Sequence, residues 1–270
     1  MEIIGFVLSI LIGISLGLIG SGGSILTIPI LVYIVHIQPS TATTYSLFIV
    51  GVTALVGSIR GAKDNLLDYK VAFYFGLPSV IAIFIMRQFV VPLLPTIFFS
   101  WGDFSVSKDV FIMLVFAILM IFASFSMIRK NNLMMEVEEN NFINKSQIVF
   151  KGILIGLLTG FVGVGGGFLI IPTLIFSAKL PMKKAVATSL IIIAANALIG
   201  FAGSLNNFNN PHNNSSAIDW HFLLIFTLFA IIGVFIGILL SKKISNEKLK
   251  PAFGWFVLVT GIYIILKEIL

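Results

Sequence analysis

Two glycine-rich stretches constrain this chain more than any other feature. Residues 17–31 read GLIGSGGSILTIPIL, and residues 160–174, 143 positions later, read GFVGVGGGFLIIPTL; 8 of the 15 positions are identical, among them four glycines and the proline. The correspondence continues at the same offset, with Ala42, Ser46, Leu47 and Gly57 recurring as Ala185, Ser189, Leu190 and Gly200. After a short insertion, Asp68-Tyr69 recurs as Asp219-Trp220. The chain is a tandem duplication, so its fold has to place the same broken, glycine-rich segment twice.

Where those segments lie follows from hydropathy. With 58% hydrophobic and 10% charged residues in a chain of 270, the apolar surface exceeds what a soluble core of this size buries. Apolar blocks fall at 3–36, 42–59, 71–86, 110–128, 148–178, 185–203, 220–241 and 252–266, with polar connectors between them. Several exceed the roughly 18 residues of a spanning-helix candidate, which predicts an all-α polytopic membrane protein. Residues 3–20 lack the basic n-region of a signal peptide. Segment 89–101, with Pro92, Pro95 and aromatics, suits an interfacial position. The net charge of +6 sits mostly in connectors, which fits membrane orientation better than nucleic-acid binding, and the absence of cysteine excludes thiol chemistry.

The basic residues also discriminate between topologies. Eight straight crossings would divide the 17 Lys and Arg residues almost evenly between the two faces. If blocks one and five instead fold back at their glycines, 14 lie on one face, and Arg87, Lys108 and Lys267 alone lie on the other. The positive-inside rule expects the second arrangement. Each repeat then has one re-entrant hairpin and three spans, and the odd number of crossings inverts the second repeat relative to the first. The expected layout is a first repeat at 1–130, a charged cytoplasmic linker at 131–147 and a second repeat at 148–270, all in one membrane domain. Hairpin arms of about 18 and 12 residues rise roughly 27 and 18 Å, which predicts that both tips reach the midplane of a core about 30 Å thick.

The tips carry the chemistry. Non-helical backbone at membrane depth must line a cavity or be covered by protein, and glycine admits positive φ and close approach. The second arms begin near Ser24 and Gly167, so two helix N-termini point inward, a favourable place for an anion. The expected ligand groups are the tip residues Ser21, Gly22, Gly23, Ser24, Gly165, Gly166 and Gly167, with nearby hydroxyls of Thr27, Ser46, Thr188 and Ser189. On this reading no basic side chain lies within a span. Gly13, Gly17 and Gly20, and Gly156, Gly160 and Gly163, read as helix-packing positions, so that Gly13→Val should be milder than Gly22→Val or Gly165→Val. Asp68 and Asp219 read as N-caps, and Asn196 as an interhelical hydrogen-bonding group. Ser46 and Ser189 could equally bond their own helix carbonyls. His36, His212 and His221 are isolated, so no metal or cofactor is expected. The Asn-rich loop 206–216 holds glycosylation-like triplets at Asn213 and Asn214 that fit chance.

The doubled Gly-x-Gly-Gly motif followed by Pro29 or Pro172, Thr44-Tyr45-Ser46-Leu47 with its partner Ala187-Thr188-Ser189-Leu190, Ile218-Asp219-Trp220, Gly233 with Gly237, and the stretch 248–253 together resemble the sulfite exporter TauE/SafE family. The resemblance implies a bacterial inner-membrane transporter for sulfite or an organosulfonate such as sulfoacetate. Two departures from the pattern stand out: Ser24 replaces the third glycine present at Gly167, and Tyr45 replaces a threonine. The expected partners are a small anion and the lipid bilayer, with no nucleic acid; a homo-oligomer is compatible with the sequence. The expected mechanism is anion export by alternating access of two inverted halves. The alternatives are an anion channel with the tips as filter and an intramembrane enzyme, for which no Ser-His, Asp-Asp or His-Glu-x-x-His constellation exists.

Overall fold

A computed structural model describes residues 2–20, 22–95, 97–101, 104–128, 145–208, 218–241 and 246–269. The charged linker up to residue 144 and most of the Asn-rich loop lie outside them, as does Ser21. Seven of the described helices are long and apolar enough to cross a membrane, and the protein is a multi-pass membrane protein. Exposed Phe73, Ile81, Phe122, Leu228, Phe235 and Val259 face outward from these helices, as lipid-facing positions must.

The first glycine stretch breaks α1 (Glu2–Ile19) from α2 (Gly22–Pro29), and α2 runs on through a π-helical segment, Ile30–Ile34. The break is at Gly20, with φ +79°. The chain then folds back on itself. A Cβ at Gly23 would lie 2.5 Å from the Ile12 carbonyl oxygen, and one at Gly5 would lie 2.9 Å from Val35 Cγ2, so the two open ends of the hairpin are together. The second copy repeats this with α7 (Lys145–Val162) and α8 (Gly167–Ser177). Gly163, at +81°, matches Gly20, and Gly165 and Gly166 are also left-handed at +69° and +80°. Near the open end the Lys151 ammonium donates to Ser177 Oγ at 2.7 Å. In both copies the proline sits inside the second arm.

Between the hairpins run α3 (Pro39–Lys63), with Pro39 in its first turn, and α4 (Tyr69–Ile85), capped by the Asp68 carboxylate accepting from the Val71 N–H at 2.9 Å. A π-helical segment, Met86–Val90, and the short α5 (Val91–Leu93) extend α4, so this span runs to Leu93 and not to residue 86 as the sequence suggested. The expected interfacial segment 89–101 is thus partly helix, and its remainder forms a two-stranded antiparallel hairpin, β1 (Ile97–Trp101) with β2 (Phe104–Ser107), paired from Ile97↔Ser107 to Trp101↔Phe104. Next comes α6 (Lys108–Ile128), and after the second hairpin follow α9 (Met182–Phe208), α10 (Trp220–Leu240) and α11 (Asn246–Ile269). Asp219 caps α10 through the Phe222 N–H at 3.0 Å, as Asp68 caps α4.

Packing crosses between the two copies. α1 lies on α10, where a Cβ at Gly13 would meet the Ala230 carbonyl oxygen and one at Gly17 would lie 2.5 Å from that of Val234. α7 lies on α4, where a Cβ at Gly156 would meet the Ser79 carbonyl oxygen and one at Gly160 would lie 3.0 Å from Ile83 Cγ1. α3 and α9 run antiparallel: Gly200 faces Leu47 and Ile83, while Gly57 faces Leu190 and Val234. The α6–α11 pair is antiparallel as well, with Gly254 against Met127 and Gly261 against Ala117.

Polar contacts gather at two ends of this bundle. One end joins Tyr33, whose hydroxyl donates to Glu268 at 2.7 Å, with Lys267 over the Tyr33 ring at 4.2 Å and the Ser40 N–H donating to Asp109 at 3.1 Å. The other end joins Asp68 with Thr188, and Lys145 with the Tyr74 ring.

Close approach at Gly13 and Gly156 makes them sensitive positions, and the expectation of a mild Gly13→Val is corrected here: its side chain would occupy the space of a backbone carbonyl. Gly13→Val or Gly156→Val should cost at least the roughly 1–3 kcal/mol of overpacking. Gly57→Ala, whose Cβ meets nothing closer than 3.6 Å, should be tolerated. Thermal unfolding in detergent, followed by size-exclusion homogeneity, separates the two classes.

Candidate functional site

The seam between α3 and α9 supplies the frame of the site. The two breaks lie at opposite ends of it. Gly20 packs on Val186 in the first turns of α9, while Gly163 packs on Thr43 in the first turns of α3. Val186 and Gly203, which lies beside Arg87, are separated by about 26 Å at 1.5 Å per residue along α9. The breaks therefore do not meet at the centre as expected from arm lengths; each hairpin reaches well past mid-height. Gly165 does lie halfway along the seam, against Val50, Ile193 and Ala197. The second arms also touch, through Ile25 and Ile28 of α2 and Val164 and Phe168 beside and in α8.

The remaining candidate residues divide by what they bond. Gly22 and Gly23 are helical, as the first turn of α2, and Gly167 opens α8. Ser24 is fully buried. Thr27 donates to its own helix at the Gly23 carbonyl, 2.9 Å, and Ser189 to the Val186 carbonyl, 2.8 Å. Thr188 accepts the Asp68 N–H at 3.0 Å and so ties α9 to the start of α4. Its counterpart Tyr45 accepts the Asp219 N–H at 2.7 Å, so the residue that departs from the threonine pattern keeps the hydroxyl and the partner. Ser46, the counterpart of Ser189, is fully buried and its hydroxyl has no hydrogen-bond partner.

Sequence reasoning missed the most consequential side chain. Arg87, placed outside the membrane by the charge count, lies within the span that runs from Tyr69 to Leu93, on the π-helical segment, with 2% exposure. Its Nη1 donates to Thr43 Oγ1 at 3.1 Å, but Nε and Nη2 have no partner, and Nη2 occupies the space a Gly163 side chain would take. Among the described residues the one ion pair is Arg60 with Asp64, so no carboxylate neutralises Arg87. A sequence signal did exist: a block ending at residue 86 has only 16 residues, about 24 Å, short of a core about 30 Å thick, and the apolar Phe89-Val90-Val91 follows. Asn196 donates to Ser79 Oγ at 2.7 Å, the interhelical bond expected, while its Oδ1 has no partner. Among the described residues no cluster of His, Asp or Glu could hold a metal.

Comparison with known proteins agrees with this architecture. The profile described as Sulfite exporter TauE/SafE matches residues 5–264. The chain belongs to the TauE/SafE family. A probable membrane transporter protein of Xylella fastidiosa (strain 9a5c) is 28% identical over 263 residues, covering 96% of this chain and 92% of that protein. One from Methanocaldococcus jannaschii is 26% identical over 270 residues, covering 98% and 94%, and YunE of Bacillus subtilis is 23% identical over 287 residues, covering 98% of each. No solved structure matches the chain. The protein is a membrane transporter of this family.

Two hydrogen bonds at opposite ends of the seam offer a test of the frame. Tyr45→Phe and Thr188→Val each strand a backbone N–H and should cost about 1–3 kcal/mol, and the double variant should be additive to about 0.5 kcal/mol. Ser46→Ala loses no hydrogen bond and should leave stability unchanged or slightly higher. Chemical or thermal unfolding of the purified variants reads all four.

Proposed function

We propose that this transporter exports a small anion, sulfite or an organosulfonate among the candidates, by alternating access of two inverted halves. The observation that carries the inversion is an exchange of partners. Leu47 with Gly200 and Gly57 with Leu190 are the same contact with the repeats swapped, and so are Tyr45 with Asp219 and Thr188 with Asp68. Gly13 on Ala230 corresponds to Gly156 on Ser79 in the same way. A pseudo-two-fold axis relating the repeats produces such exchanges. Because α3 and α9 run antiparallel across it, the axis would lie in the membrane plane, as in transporters with inverted-topology repeats.

Orientation follows from charge. With Arg87 inside the span, Lys108 and Lys267 remain as the basic residues of the face that carries the chain start, the link at His36–Thr41 and the chain end. The bias to the opposite face persists, so that face is assigned to the cytoplasm. Each hairpin then opens on one side of the membrane and closes toward the other, which gives two equivalent gates.

An anion reading rests on helix ends and hydroxyls. The first turns of α2 and α8 start near mid-height, where backbone N–H groups and dipole ends favour negative charge. An inside-negative potential assists anion exit by about 2.3 kcal/mol per charge per 100 mV, so export needs no coupling ion. No Asp or Glu lies deep within a span, in accord with that.

The chain has no cysteine, so single cysteines report topology directly. Probes at Gln38 and Lys267 should label from one side and probes at Asn65 and Lys179 from the other. Gln38 and Asn65 reacting from the same side would end the inverted model. For the substrate, sulfite or sulfonate efflux from proteoliposomes should saturate with concentration; flux that stays linear would favour the channel, and cation flux without anion flux would remove the anion reading.

A further inference from the structure

We propose that Arg87 is an anion-binding residue, holding one oxyanion on the free edge of its guanidinium with Ser46 as a second donor, at the Gly163 end of the α3–α9 seam. This deepens the anion-transporter reading and rests on it.

A guanidinium stays charged in proteins, and a charge buried without a counter-charge is strongly disfavoured. Arg87 has one neutral partner, Thr43, and no carboxylate among the described residues. Its unpartnered nitrogens are Nε and Nη2, which lie on the same edge of the planar group. That edge presents two parallel N–H bonds, the arrangement that matches two oxygens of a carboxylate, sulfonate or sulfite. Thr43 takes one side of the fork and the other carries two N–H groups without a partner, in a buried position where an oxyanion would satisfy both charge and hydrogen bonds.

Helical spacing brings Ser46 into the same site. Thr43, which bonds Arg87, and Val50, which packs on Gly165, are seven residues apart on one face of α3, and Ser46 lies between them at i+3 from Thr43. Its hydroxyl is fully buried and unpartnered. Both unsatisfied groups therefore border the Gly163–Gly165 loop of the second hairpin. Gly163 has to be glycine there, because its φ is +81° and a Cβ would lie 2.5 Å from Thr43 Cβ and 2.8 Å from the Thr43 carbonyl oxygen, with Arg87 Nη2 against the same space. In this packed arrangement the free edge rests on Gly163, and an oxyanion reaches it when the α7–α8 hairpin shifts away from α4. The corresponding position beside Gly20 has no such group: Val186 stands for Thr43 and Ile238 for Arg87, so the site exists once.

The protein has three arginines, Arg60, Arg87 and Arg129, so the Arg87 Nε resonance of the nitrogen-labelled, detergent-solubilised transporter can be assigned with Arg60→Lys and Arg129→Lys variants. Titration with methanesulfonate, sulfate and acetate should move that resonance saturably, while chloride should move it little. Arg87→Lys, which keeps the charge and loses the fork, should weaken methanesulfonate binding about tenfold or more and Ser46→Ala by less than that. Arg87→Lys should also flatten the preference for oxyanions over chloride. If the wild-type protein binds and transports these oxyanions but the Arg87 resonance stays still and Arg87→Lys binds equally well, Arg87 is not the site and the anion-transporter reading stands. If the wild-type protein neither binds nor transports any of them, both fail together. The resonance of the wild-type protein decides the matter even if Arg87→Lys does not fold.

Discussion

Lipid offers no hydrogen bonds, and a helix broken at membrane depth exposes backbone groups that need them. Everything distinctive in this fold answers to that constraint. Each glycine break is covered by protein: Gly20 by Val186 and Ile171, Gly163 by Thr43 and Arg87, Gly166 by Thr159. At Gly20 and Gly163 the cover comes from the other copy. α1 is gripped by α10 and α7 by α4, at glycines that bring backbone against backbone, where van der Waals packing and Cα–H···O contacts replace a hydrophobic driving force that lipid removes. Much of the cover of each hairpin is thus supplied by the other copy.

The same close packing explains why the glycines divide as they do. Gly13 and Gly17 in α1 and Gly152 and Gly156 in α7 serve approach, and side chains there would meet carbonyls of α10 and α4. Gly20 and Gly163 serve backbone conformation, both at left-handed φ near +80°. The sequence grouped these last two with the packing set because spacing alone cannot separate a helix-facing glycine from a hinge. Gly165 and Gly166 satisfy the expectation of unusual φ, whereas Gly22 and Gly23 are ordinary first-turn residues of α2. Identical letters in the two motifs thus carry different backbone roles, and Ser24 at the place of Gly167 is tolerated because it sits in a regular helix.

Much of the fold was legible because membrane burial writes itself in composition. The apolar blocks, the fold-back of residues 17–31 and 160–174, and the caps at Asp68 and Asp219 all follow from hydropathy, glycine clustering and a carboxylate ahead of a helix. What was not legible depended on three-dimensional approach. The β-hairpin at 97–107 comes from a segment whose prolines and aromatics suit several interfacial forms. Arg87 was lost because a single cation near the end of an apolar run looks like a flank residue, and only the continuation to Leu93 through a π-helical segment carries it inside. Ser46 and Ser189 are equivalent in sequence, yet one bonds its own helix and the other has no partner.

That last inequality extends across the molecule. Where the repeats agree, the contacts are structural: the leucine and glycine exchanges, the capped aspartates, the hydroxyls of Tyr45 and Thr188. At four of the positions where they differ along the α3–α9 seam and its flanking helices, the second hairpin has the more polar neighbour. Thr43 corresponds to Val186, Arg87 to Ile238, Ser79 to Ala230 and Asn196 to Thr53. The first three pairs are polar against apolar, and in the fourth the amide has one group bonded to Ser79 and one unmet. Among the described residues the unmet polar groups, at Ser46, Arg87 and Asn196, therefore gather beside one hairpin. Two equivalent gates do not by themselves require such a bias. A substrate that must be held more firmly on one side of its path than on the other does, since a difference in affinity between two conformations is what ligand binding uses to shift their populations.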